Sequence, residues 1–160
     1  MGKVKFKYYP NVYEDNVIAH VEGVCQCCGR TVNEYIESMY AVEDVDCICL
    51  QCVSDGSAAA KFHGSFIEDA DPVSDPEKQD ELFHRTPGYL SWQGEYWLAC
   101  CDDYCKYMGY VGIKELEELG CKDEVLEEYV QRDTLIPIEE TGICVDIYFN
   151  VCTAENIIFG

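Results

Sequence analysis

Two cysteine pairs, Cys25-x-x-Cys28 and Cys49-x-x-Cys52, are separated by twenty intervening residues. Two residues between thiols let both sulfurs of a tight turn reach one ion at about 2.3 Å. Four soft thiolates in a tetrahedron select zinc, with iron as the alternative. Gly29 directly follows Cys28, where a turn aiming backbone amides at sulfur calls for angles that glycine tolerates. Cys27 and Cys47 lie beside these positions and are read as neighbours of the ligands. A closed four-thiolate site is structural, because a catalytic zinc keeps a position open for water.

A second constellation is looser. Cys101 and Cys105 have three residues between them, and Cys100 offers another thiol. Further ligands would have to come from Cys152, Cys144, Cys121, His63 or His84, with Cys101, Cys105 and Cys152 the candidate set. The competing reading is that these are small apolar cysteines in a reducing compartment. Other chemistries find little support. The three histidines, His20, His63 and His84, form no His-Glu-x-x-His, and no His-x-Glu precedes a Cys-x-x-Cys as deaminase chemistry requires. Adjacent Cys27-Cys28 and Cys100-Cys101 leave thiol redox chemistry conceivable, but a pair bound to zinc is no free redox couple.

The elements that must position the main site are legible in outline. Residues 35–40 and 46–49 read as the two arms of a hairpin that returns the second pair to the first. Ser54–Gly64, with Asp55 or Ser57 as cap, three alanines and a terminal glycine, predicts a short helix just after the last ligand. Knuckle, hairpin and helix in that order give a treble-clef or zinc-ribbon layout. Before them, Lys3, Lys5 and Lys7 alternate with Val4, Phe6 and Tyr8, the period of an edge strand. After them, residues 67–80 are acidic and loop-like, and Pro76 can open a helix running through Phe83. Residues 96–101 carry strand-like bulk. Helices are predicted over 113–119 and 122–133, and a strand over 143–151. The fold class is therefore α+β: a small zinc-ribbon-like module with short strands, plus C-terminal helices and a strand. Residues 1–112 form the zinc-containing region, and 113–160 an extension packed on the same domain.

Whole-chain arithmetic sets the remaining limits. The chain has 160 residues, 12 of them cysteine, with 11 basic and 31 acidic residues and a net charge of −20. Such a charge opposes polyanions, so neither nucleic acid nor an anionic membrane is an expected partner. A 48% hydrophobic content argues against disorder. The lysine-rich start leads into Tyr8-Tyr9-Pro10 without the apolar run of a secretory signal, so reduced thiols and a cytoplasmic location are expected.

The run Asp55-Gly56-Ser57-Ala58-Ala59-x-Lys61-Phe62, then Arg85-Thr86-Pro87-Gly88-Tyr89-x-x-Trp92-Gln93, then Trp97 and the Cys101/Cys105 group resembles the CbrC family. Phe6-x-Tyr8-x-Pro10 and both Cys-x-x-Cys pairs fit as well, so the likeness spans roughly residues 6–110. That family groups bacterial colicin-tolerance proteins with many relatives. The resemblance implies a bacterial cytosolic setting and transfers no catalytic residues. Its C-terminal strand often ends in a further Cys-x-x-Cys-Gly, whereas here residues 148–154 carry only Cys152.

Three functions compete on these residues. The expected one is a zinc-stabilised protein-interaction module, not an enzyme, that confers tolerance to a bacteriocin or other toxin. Its candidate recognition patch is Arg85, Tyr89, Trp92, Gln93 and Trp97, since Trp, Tyr and Arg dominate binding hot spots. The competing reading of Trp92 and Trp97 is core. The acidic balance favours a basic protein partner, in one version a nuclease or toxin held by an immunity-like protein. A zinc or thiol enzyme is the alternative, and nucleic-acid binding the third.

Overall fold

The computed structural model describes residues 2–91, 94–111, 117–118, 123, 147–151 and 158–159. It is a small α+β structure in which the described residues form short strand pairs and three helices with defined bounds. Strands β1 (Gly23–Val24) and β2 (Thr31–Val32) pair antiparallel across the first cysteine knuckle. Strands β3 (Tyr35–Ile36) and β4 (Ile48–Cys49) pair antiparallel with Tyr35 opposite Cys49. The expected hairpin is thus present, cut to two residues per arm; Tyr40 instead bridges Ser65.

Helix formation departs from expectation in one respect. In place of a helix over 54–64 there are two, α1 (Leu50–Ser54) and α2 (Ser57–Phe62). Gly56 between them has φ 75°, a left-handed angle that breaks the ladder and that glycine adopts without steric cost. The N-cap of α2 is Gly56 and not the expected Asp55 or Ser57; Asp55, one residue earlier, accepts from the Ser57 amide at 3.0 Å and so satisfies a free donor of the first turn. The earlier start of α1 puts Cys52 inside a helix. Helix α3 (Pro76–Arg85) begins at proline after the cap Asp75, whose carboxylate accepts from the Glu77 amide at 2.9 Å.

The alternation over residues 3–8 is not a strand. Phe6 and Tyr8 are buried and the three lysines exposed, as the pattern requires, yet no ladder forms there. Among the described residues, one backbone–backbone hydrogen bond reaches this segment, Tyr107 N–H donating to the Tyr8 carbonyl at 2.8 Å. Burial follows from period two alone, whereas strand pairing needs a partner with free groups along its length.

Beyond α3, β5 (Asp69–Ala70) pairs parallel with β6 (Tyr96–Trp97), and β7 (Ala99–Cys100) pairs antiparallel with β8 (Asp103–Tyr104). Strand β9 (Lys106–Val111) pairs antiparallel with β10 (Ile147–Val151), which in turn pairs with β11 (Ile158–Phe159). The expected 143–151 strand is therefore seen over its last five residues. The expected C-terminal helices lie outside the described residues except at Glu117, Glu118 and Asp123, which are helical and exposed. No helix among the described residues is long and apolar enough to cross a membrane.

One continuous core links the halves of the described fold. At one end it is aliphatic and thiol-rich, with Ile36, Ile48, Val53, Ala58 and the cysteines. At the other it is aromatic. Tyr89 and Tyr107 stack at 4.2 Å, Tyr9 meets Tyr107 edge-on at 5.0 Å, and Tyr8 meets Tyr104 edge-on at 5.5 Å. Trp97, fully buried, donates its indole N–H to the Cys105 carbonyl at 2.8 Å. Such aromatic pairs add about 0.5–1.5 kcal/mol each beyond their burial.

Candidate metal centre

Cys25 and Cys28 come from the turn between β1 and β2. The turn closes by Gly29 N–H to the Cys25 carbonyl at 2.7 Å and Cys25 N–H to the Arg30 carbonyl at 2.9 Å. Gly29 has φ 74°, which is the requirement anticipated for that position. Cys49 ends β4 and Cys52 lies within α1, so a strand end and the helix following it present the second pair. The four sulfurs lie within 4.8 Å of one another.

Sulfurs each about 2.3 Å from a tetrahedral ion stand about 3.8 Å apart. Cys28 Sγ and Cys49 Sγ are 3.8 Å apart. The donor set therefore fits a metal such as zinc, and the same thiolates also suit iron. Cys25, Cys49 and Cys52 are buried, while Cys28 faces solvent. Among the described residues no other group of three or more histidine, cysteine, aspartate or glutamate ligands gathers in this way.

Polar contacts around the sulfurs hold the knuckle in place. Arg30 Nε donates to Cys28 Sγ at 3.2 Å and its Nη2 to Cys49 Sγ at 3.9 Å. The Cys49 amide donates to Cys25 Sγ at 3.3 Å. Gln26 Oε1 accepts from the amides of Asp46 and Cys47 at 2.8 and 2.9 Å, tying the knuckle to the β4 approach. Lys61 on α2 donates to the carbonyls of Gln26 and Cys27 at 2.7 and 2.9 Å. Arg30, Gln26 and Lys61 are parts of the site that the cysteine spacing does not announce. Arg30 carried a usable signal, a cation two positions from a thiolate ligand; the other two act through tertiary proximity.

The hydrogen bond from Arg30 lowers the Cys28 thiol to about 6. Burial pushes the Cys49 and Cys52 thiols up. Cys47 is also raised, by burial and then by the neighbouring Cys25. Cys27 contacts Ser57 Oγ at 3.7 Å, and neither Cys27 nor Cys47 belongs to the four-sulfur cluster.

Cys101 is exposed at the tip of the β7–β8 hairpin, Cys105 is buried behind β8, and Cys152 lies outside the described residues. His84 pairs with Asp80 at 2.8 Å. The recognition patch needs correction. Trp97 and Tyr89 are core, with Tyr89 Oη donating to the Tyr96 carbonyl at 2.9 Å. Arg85 is tied to Asp80 at 3.0 Å and Glu81 at 3.4 Å. Aromatic side chains serve a core as well as an interface, and here the stack under the Pro87-Gly88 turn claims them. Trp92 and Gln93 lie outside the described residues.

Comparison with known proteins adds a family. Over 123 residues the chain is 37% identical to UPF0167 protein PA1536 of Pseudomonas aeruginosa, covering 73% of this chain and 69% of the relative. It is 33% identical over 131 residues to UPF0167 protein Mb2317 of Mycobacterium bovis, covering 78% of this chain and 70% of the relative. UPF0167 protein MT2352 of Mycobacterium tuberculosis matches to the same extent, 33% over 131 residues. No solved structure matches the chain. Residues 4–146, a span containing all four clustered cysteines, match the uncharacterised protein family UPF0167, and the chain belongs to that family.

Proposed function

We propose that this protein is a zinc-stabilised protein-interaction module of the CbrC type, one that engages a basic protein partner such as a bacteriocin or other toxin. The observation that carries this reading is the closed cluster of Cys25, Cys28, Cys49 and Cys52, three of them buried. Four thiolates fill a tetrahedral shell, so the ion organises the fold and leaves no position for a reacting water. The surface supports the choice of partner. With 31 acidic and 11 basic residues, several of the cations are already engaged. Lys7 and Lys78 meet Asp103, Arg85 meets Asp80 and Glu81, and Arg30 meets Cys28. A negative field over the remaining surface steers cationic proteins and repels nucleic acid. Val21 and Val24, exposed on and beside β1 next to the knuckle, offer apolar contact within that field.

The test uses the zinc-loaded protein and a basic nuclease-type toxin domain. Association measured at rising salt is expected to weaken at least about tenfold between low and physiological ionic strength. An affinity indifferent to salt sinks the charge-steered reading, and elemental analysis showing no bound metal sinks the structural one. A second reading, a thiol enzyme, draws on the exposed, Arg30-lowered Cys28. Rapid alkylation of Cys28 in metal-loaded protein would favour it; protection of all four sulfurs favours the structural site.

A further inference from the structure

Cys100 and Cys101 are sequence neighbours whose sulfurs lie 3.3 Å apart at the end of the β7–β8 hairpin. That hairpin has a two-residue loop, Cys101-Asp102, with Cys100 opposite Asp103. Both loop residues have positive φ, 56° and 59°, which makes the turn type I′. Such turns are built from Gly, Asn and Asp because other L residues are strained there. Asp102 suits its position. Cys101 does not, and a strained residue at an exposed tip points to function.

The turn around it is fixed. The Asp102 carboxylate accepts from the Ser74 amide at 2.7 Å and from the Ser74 hydroxyl, and the Asp102 carbonyl accepts from Lys78 at 2.6 Å. Asp103 accepts from Tyr8 Oη at 2.7 Å and pairs with Lys7 at 3.2 Å. The backbone is therefore anchored at both following residues while Cys101 is exposed. Cys105, the next thiol along, is buried.

We propose that Cys100 and Cys101 form a vicinal dithiol that a low-molecular-weight disulfide closes reversibly into a disulfide bond. The Cys101 thiolate attacks one sulfur of the small disulfide and expels the first small thiol, leaving a mixed disulfide on Cys101. The Cys100 thiolate then attacks Cys101 Sγ and expels the second. Protein sulfur loses two electrons and two protons, and the small disulfide gains both as two thiols. The sulfurs close from 3.3 Å to the bonded distance of about 2.05 Å. Adjacent Cα atoms are about 3.8 Å apart, below the usual span of a disulfide, so the ring is strained and readily reduced again.

The experiment exposes metal-loaded full-length protein to graded mixtures of oxidised and reduced glutathione, followed by acid quench, alkylation and trypsin. Cleavage at Arg85 and Lys106 yields a peptide holding Cys100, Cys101 and Cys105 alone among the cysteines. The expected result is loss of two of its three alkylatable thiols, with fragment masses placing the alkyl group on Cys105, and recovery on reduction. Cys100→Ser is expected to trap glutathione on Cys101, and Cys101→Ser to lose no thiol pair. The proposal is overturned if the peptide stays fully alkylated, as it would with a metal held on Cys101 and Cys105. It is equally overturned by a crosslink through Cys105 or to another peptide. The wild-type fragment masses decide the matter even where a variant fails to fold.

Discussion

Arg30 gives the cysteine cluster its asymmetry. Its guanidinium lies 3.2 Å from the one ligand sulfur that faces water, while the other three sulfurs are enclosed. A charge-assisted hydrogen bond favours the thiolate of Cys28 and offsets part of the negative charge that four thiolates concentrate. Outer contacts of this kind tune metal affinity by roughly 10–100-fold. Arg30→Ala is therefore expected to weaken zinc retention by about that factor, read by competition with a chromophoric chelator, with Arg30→Lys recovering part of the loss. Acid acts on the same atoms. Burial raises the Cys49 and Cys52 thiols, and Cys28 holds its proton only below about 6. A cation must displace protons from the raised thiols, so affinity falls as pH falls. Zinc release followed against pH should steepen on passing below about 6, where Cys28 also becomes protonated; a flat profile between neutral pH and pH 5 would contradict the assigned ligands.

At the scale of elements, the fold depends on short pieces tied together by side chains. Among the described residues, the two-stranded and three-stranded sheets contain mostly two-residue strands, so the ladders alone hold little. Asp103 shows what replaces them. It opens β8 and accepts from Tyr8 and Lys7 of the N-terminal segment, while Lys78 of α3 stands 3.8 Å away. Burial pushes its carboxyl up, but the hydrogen bonds from Tyr8 and Lys7 outweigh this and hold it below the usual carboxylate range. A carboxylate lowered on folding contributes stability above its unfolded value, near 3.9, and loses it as pH falls through the folded one. Asp103→Asn is expected to destabilise by about 1–2 kcal/mol at pH 7, the difference shrinking towards zero below about pH 4. Denaturant titrations of both proteins in the same metal state test this. A pH-independent difference would mean that packing, not charge, makes the link.

For the whole molecule the question is how a core split between thiols and aromatics stays ordered. Tyr89, Trp97, Tyr104 and Tyr107 pack without metal, whereas the cysteine end brings four polar sulfurs together in and beside a buried space. Structural zinc contributes on the order of 10–16 kcal/mol of apparent binding energy, against a typical net stability of about 5–15 kcal/mol. Stripping the ion with a strong chelator should unfold at least the knuckle, β3–β4 and α1. Loss of far-UV circular dichroism, regained on adding zinc, is the expected reading; an unchanged spectrum and melting temperature after complete removal would show that the ion is not structural.

The four-cysteine cluster was legible because its information is local. Two residues between thiols fix a turn whatever surrounds it, and Gly29, Asp55 and Pro76 mark turns and caps by their own backbone chemistry. The UPF0167 family match over residues 4–146 likewise includes those cysteines. Tertiary structure decided what depends on a partner. Alternation over residues 3–8 specified which side chains are buried but not a ladder, since a strand needs a second backbone in register. Tyr89 and Trp97 belong to the core and not to a recognition surface, because a large aromatic side chain satisfies either role and only its neighbours choose between them.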